Sequence, residues 1–176
     1  ALEQRELERR REELRELYTK VLADAVLLRD ASREFEQEKA PTRRTRAAMR
    51  RAAGDADAID EALASIAEDV PELVNAPVFG YAHEQARAGA VQTAGALRTG
   101  NAPFAVFHAS RLVRSLEEII DSLGEPDPDD DPFNDGGAGE QGGGGGGGQG
   151  GAMEDQLVPP LKALRLLRKL QLTLGC

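Results

Sequence analysis

MRRAAGDADAIDEALASIAEDV, residues 49–70, decides the class of fold. Met49, Ala52, Ala56, Ile59, Leu63, Ile66 and Val70 follow one another by alternating steps of three and four without a miss. Residues three and four apart share one face of an α-helix, so the spacing gathers every one of these apolar side chains on a single stripe. A strand needs alternation every second residue and a supply of β-branched and aromatic side chains. The chain has 4 % aromatic residues and no Trp. The stretch therefore predicts a helix over about 42–69. Gly54 inside it costs roughly 1 kcal/mol against Ala, which a close approach of a neighbouring helix at that point would explain.

Upstream, Leu7, Leu14, Val21, Leu28 and Phe35 recur every seven residues, and Leu17, Tyr18, Ala25 and Ala31 widen their stripe. A heptad seam sustained this long predicts a helix over about 2–39, ended before Pro41 because the residue preceding a proline avoids helical geometry. Its first turns, EQRELERRREELRE (3–16), are almost wholly charged and are expected to project from the body or to continue a coiled coil. The short connection to the second helix predicts an antiparallel hairpin.

Downstream, Pro71 and Pro77 bracket a corner, and Pro77 suits a first helical turn. A third helix is expected over about 77–98 on a stripe of small residues, namely Ala82, Ala86, Gly89, Ala90, Thr93 and Ala94, then Leu97. TGNAP (99–103) reads as stop and restart: Gly100 suits a C-terminal cap, and Asn101 or Thr99 the next start. Ala105, Ala109, Leu112, Leu116, Ile119 and Leu123 predict a fourth helix over about 103–123, closed by Gly124. If these two helices form a hairpin turning near residue 100, facing positions sum to about 201. Helices of unequal length, roughly 55 Å for the first and roughly 30 Å for the fourth, leave the first overhanging.

Beyond residue 124 the composition breaks. EPDPDDDPFND (125–135) is acidic and proline-rich, and GGAGEQGGGGGGGQGG (136–151) is mostly glycine. Such a string has no side chains to bury and maximal backbone entropy to lose. Then comes LVPPLKALRLLRKLQLTLG (157–175), where Leu161, Leu164, Leu167 and Leu170 lie along one side with Leu157 beside them, and Lys162, Arg165, Arg168 and Lys169 lie largely elsewhere. The fold class is therefore all-α. Residues 1–124 form an up-and-down helical bundle or long coiled-coil hairpin. Residues 125–156 form a disordered acidic and Gly-rich linker, and 157–176 a short C-terminal amphipathic helix. As a flexible coil the linker spans on the order of 30 Å, and a 15-residue helix is marginal alone in water, so its leucines need a surface.

The totals narrow the function. Net charge is −9, and an acidic balance makes nucleic-acid binding an unfavoured partner class. The nine acids of 125–156 stand without a cation, whereas 157–176 has four cations and no acid. The single cysteine, Cys176, excludes an internal disulfide and a Cys-rich metal site. No apolar run approaches the roughly 18 residues of a membrane span. Both ends read as cut, the first already inside a helical pattern, so targeting segments are expected to lie outside the sequence.

Chemistry-bearing motifs fail on their spacing. HEQAR (83–87) opens like H-E-x-x-H but carries Arg87 where the second ligand belongs, and the register places His83 and His108 in different layers, so both read as packing or surface histidines. An EF-hand loop from Asp127 would need Gly and Glu where Pro132 and Ala138 stand. The glycine run has no strand before it and no GK[ST] after it. RRTRAAMRR (43–51) reads as a solvated face pairing with the Glu-rich first helix, with phosphate or membrane-surface contact as the lesser reading. Ser32, Ser65, Ser110, Ser115 and Ser122 sit within helices without a glycine-flanked elbow. The expectation is no enzyme, no catalytic residues, no metal and no cofactor.

A glycine run followed by LVPPLKALRLLRKLQ resembles a group of uncharacterised bacterial envelope-type helical (coiled-coil) proteins. In these, a long helical region precedes a low-complexity spacer and a short [LV]-x-P-P-L-x-x-L-x-L-L-x-x-L-Q helix. The resemblance covers the order of segments, and only Val158–Gln171 is motif-like. It implies a periplasmic or cell-envelope location and carries no activity. The expected function is a non-enzymatic structural or adaptor protein. Leu157, Leu161, Leu164, Leu167 and Leu170 would bind a protein partner, with Lys162, Arg165 and Arg168 at the rim. Self-association through that helix and the seam of helix 1, a membrane-surface role, and docking of the last helix on its own bundle are the alternatives.

Overall fold

In the computed structural model, residues 2–71 and 76–124 are described, with side chains from residue 5 onward. They form four helices: α1 (Leu2–Gln37), α2 (Arg43–Asp69), α3 (Pro77–Thr99) and α4 (Ala102–Leu123). No strand occurs among the described residues. The expected linker 125–156 and terminal helix 157–176 lie outside them.

Local chemistry sets the boundaries. α1 ends at Gln37, two residues before the expected position. Thr42 caps α2 by accepting the Thr45 amide at 3.1 Å, and Thr45 Oγ1 donates to Glu38 Oε2 at 2.6 Å, tying the corner to the end of α1. Pro77 sits in the first turn of α3, where a missing N–H costs nothing. At the far end Gly100 adopts φ 75°, while its amide donates to Leu97 O at 3.2 Å and that of Asn101 to Ala96 O at 2.9 Å. This is a Schellman motif, which a left-handed glycine closes without steric penalty. Asn101 then serves the next helix too: its Oδ1 accepts the Phe104 amide at 3.2 Å. Of the two candidates for that cap, the structure uses Asn101.

Each helix packs on the next, and α4 closes the ring on α1. The expected stripes of α3 and α4 are buried in full, and that of α2 from Met49 to Ile66. In α1 the heptad residues Leu14, Val21 and Leu28 are core, joined by Tyr18, Ala25 and Ser32, and Phe35 packs partly against it. Residues 5–13 contain no buried side chain, so the first turns extend beyond the packed body as their charge requires.

Three details correct the sequence reading. Gly54 faces open space, with nothing within 4 Å of where its Cβ would be. The close approach lies instead at Gly89, where a Cβ would meet Leu112 Cβ at 3.1 Å and Leu112 Cα at 3.3 Å. Those two positions sum to 201, so the α3–α4 register is the expected one. Leu17, placed on the α1 stripe, is 38 % exposed at its edge.

Candidate functional site

The residues singled out as partner-binding, Leu157, Leu161, Leu164, Leu167, Leu170, Lys162, Arg165 and Arg168, lie outside the described residues. An open, partly apolar surface lies on the α1–α2 side of the bundle. α1 and α2 pack less extensively than any other pair of adjacent helices, and a cleft of about 510 Å³ lies between them. Leu28, Ala52 and Ile59 form its floor, Ala31 and Ala58 its walls, and Leu27 stands at its lip, 68 % exposed. Asp24 and Asp55 line it, with no Lys or Arg.

The openness has a physical cause. On the flank facing α1, α2 presents Ala52, Asp55 and Ala58, all short. Drawing the helices together would close Asp24 and Asp55, both carboxylates without an ion pair among the described residues, into one apolar seam. The cost of burying unpaired charge far exceeds what packing a few methyl groups together would contribute. The α2–α3 side is different. Arg87 grips Asp60 through Nε at 2.8 Å and Nη2 at 3.3 Å, and Arg98 pairs with Asp57.

A second cleft, between α1 and α4, has similar volume, about 540 Å³, but a mixed lining in which Glu12, Arg15, Glu16 and Lys20 surround Leu22 and Ile120. Its charges offer no preference of sign.

The histidines are both buried and occupy separate layers. His83 Nδ1 lies 2.8 Å from Tyr18 Oη; with the hydroxyl as donor, the ring proton sits on Nε2. Tyr18 also meets Phe79 edge-on at 5.9 Å. Burial lowers the His83 pKa and raises that of Tyr18, so the pair is neutral, a link between α1 and α3 inside the core. His108 is 5 % exposed, and neither ring nitrogen has a hydrogen-bond partner among the described residues. Phe104 and Phe107 cover it edge-on at 4.3 and 5.1 Å, while themselves remaining 50 % and 54 % exposed. Arg111 lies over Phe107 at 5.8 Å and donates to Gln85 Oε1 at 3.3 Å. Burial, and secondarily Arg111, lowers the His108 pKa.

Other singled-out residues behave as helix residues. Ser32, Ser65 and Ser122 donate to carbonyls of the preceding turn at 2.8, 3.1 and 2.6 Å. The arginines of 43–51 are exposed and form no ion pair with α1 among the described residues, contrary to the expected pairing. The α1 seam from Leu14 to Leu28, weighed as a self-association surface, is occupied by the bundle's own core. Among the described residues no group of three or more His, Cys, Asp or Glu is placed to hold a metal ion, and no described helix is long and apolar enough to cross a membrane.

No protein-family model, curated protein or solved structure matches the chain.

The residues that sequence reading missed are Leu27, Asp24 and Asp55. A signal existed for the first: Leu27 is a large apolar residue off the heptad stripe, next to Leu28 on it. Nothing in a single sequence pairs it with residue 55 of another helix.

Proposed function

We propose that the chain is a non-enzymatic adaptor of the cell envelope. Its packed helical bundle is the supporting body, and the leucine row of 157–174 is the element that meets a protein partner. One observation supports this reading: the four described helices close a ring and bury one another's stripes. The leucines at 161, 164, 167 and 170 are not needed to bury those stripes, which leaves their face for recognition. Helix-in-groove binding uses such i, i+3, i+4 anchors, with Lys162, Arg165 and Arg168 against acids at the rim of the partner's groove. A long tether raises the local concentration of the helix at a partner already held by the bundle to roughly the millimolar range.

The test compares the whole chain with residues 1–156 by affinity capture. The truncated chain is expected to lose the captured protein. Retention of every captured protein overturns the reading. Co-sedimentation of the whole chain with anionic but not neutral vesicles would replace the protein partner by a membrane surface.

A further inference from the structure

The geometry points to the cleft between α1 and α2 as the resting place of residues 157–174 of the same chain. This rests on the adaptor reading for what the helix does when released, and adds where it sits beforehand. A partner then has to displace it from its own bundle.

Charge selects the cleft. The segment 157–176 has Lys162, Arg165, Arg168 and Lys169 and no acid. In the α1/α2 cleft it meets Asp24 and Asp55 and no cation, whereas in the α1/α4 cleft it meets Arg15 and Lys20 as well as two acids. Only the first gives attraction without repulsion of like sign.

Shape agrees with charge. Ala52 and Ala58 leave room above the floor, and Leu27 supplies an apolar lip that no described residue covers. A helix with leucines every third and fourth residue fills such a trough with one face while its cations reach the acids beside it.

Reach agrees as well. α4 ends at Leu123, and the α1/α4 cleft pairs Ile120 with α1 around Thr19 and Leu22. The helix rise puts the middle of residues 24–31 of α1 roughly 10 Å further along the axis. A flexible glycine-rich chain as long as 125–156 would span on the order of 30 Å. The effective concentration at the cleft is then roughly millimolar, above that of a second copy at ordinary working concentrations, which favours docking within one chain. Docking also supplies the surface that a helix of about 15 residues needs in order to form.

Cys176, the chain's one cysteine, stands just past the leucine row and makes the test direct. A nitroxide is attached to Cys176 of the full ¹⁵N-labelled chain and amide intensities are read. Loss of intensity is expected along residues 24–31 and 52–59, with none around Gln92 and Phe107 on the outer α3–α4 face. Leu27→Asp, on an exposed residue, should restore the lost intensity. So should Asp24→Lys with Asp55→Lys, and so should Leu164→Asp, which leaves the bundle untouched. The proposal is overturned by no loss anywhere on the bundle, by loss centred on the α1/α4 cleft, or by equal loss when label and isotope are on separate, mixed molecules. Absent intensity loss with partner capture still abolished by deleting 157–176 defeats the cis docking and spares the adaptor. Intensity loss at the cleft with capture unaffected by the deletion spares the docking and defeats the adaptor.

Discussion

The α3–α4 and α1–α2 contacts are both antiparallel helix pairs, built largely from alanine and leucine, yet one is shut and the other open. In the first, Gly89 lets α4 approach until the backbone of Leu112 lies 3.3 Å from where a Cβ would stand. In the second, Ala52 and Ala58, only a methyl larger, leave a cleft. Small side chains permit a close approach but do not compel it. What faces them decides. Opposite Gly89 is a leucine that gains full burial, whereas α1 and α2 each bring a carboxylate to their seam, and neither is ion-paired among the described residues.

The sharpest way to break this comparison is to delete the same side chain on each side. Leu112 is fully buried and Leu27 is 68 % exposed. Leu112→Ala should cost about 2–5 kcal/mol in urea unfolding, the loss of transfer free energy plus the cavity. Leu27→Ala, which removes a side chain that no described helix buries, should cost clearly less. Comparable losses at both would mean that the α1–α2 seam is as closed as the other.

Acid acts on one side only, because both histidines belong to α3 and α4. Burial lowers both pKa values in the folded chain. Below the unfolded value of about 6.5 the unfolded chain therefore takes up protons that the folded one refuses, and the slope of stability with pH is set by that difference. Stability is complete above about pH 6.5 and falls by about 1.4 kcal/mol per pH unit for each histidine until its folded-state value is reached. Urea unfolding at about pH 7 and about pH 5.5 measures the loss. His108→Phe should reduce it without lowering stability at neutral pH, since no hydrogen bond is removed. His83→Phe should also reduce it, but at a cost of about 1–3 kcal/mol at neutral pH for the buried Tyr18 hydroxyl left unpaired. Equal stability of the two variants at neutral pH would show that the Tyr18–His83 bond contributes nothing.

The helices were legible because each carries a stripe whose period needs no partner to be recognised: 49 to 70 in α2, 105 to 123 in α4. The α3–α4 register was legible because a turn at Gly100 fixes which positions face each other. The contacts that carry the candidate site were not. Tyr18 and His83 meet across 65 positions of sequence, and Asp24 and Asp55 share a cleft only because α1 and α2 pack at one particular rotation about their axes. Periodicity gives the face of a helix that points inward. It gives neither the edge that stays open nor the residue that ends up across from it.

Gly54 shows the same limit, and it supplies the smallest and cleanest test. Glycine in a helix interior suggests a neighbour pressing close, a reading that fits Gly89 and fails for Gly54, where the space is empty. The same substitution should therefore change sign between them. Gly54→Ala gains helix propensity with nothing to strike, a stabilisation of about 1 kcal/mol. Gly89→Ala gains the same propensity but drives a methyl to 3.1 Å from Leu112 Cβ, and overpacking of that kind costs about 1–3 kcal/mol. Because the obstructing atoms include the backbone of Leu112 rather than a flexible tip, α4 as a whole would have to withdraw, so the net effect is a loss. Two gains of equal size in urea unfolding would mean that α4 can slide outward freely. The shut seam would then owe its closeness to the lack of a side chain at Gly89 and not to what Leu112 gains by being buried there.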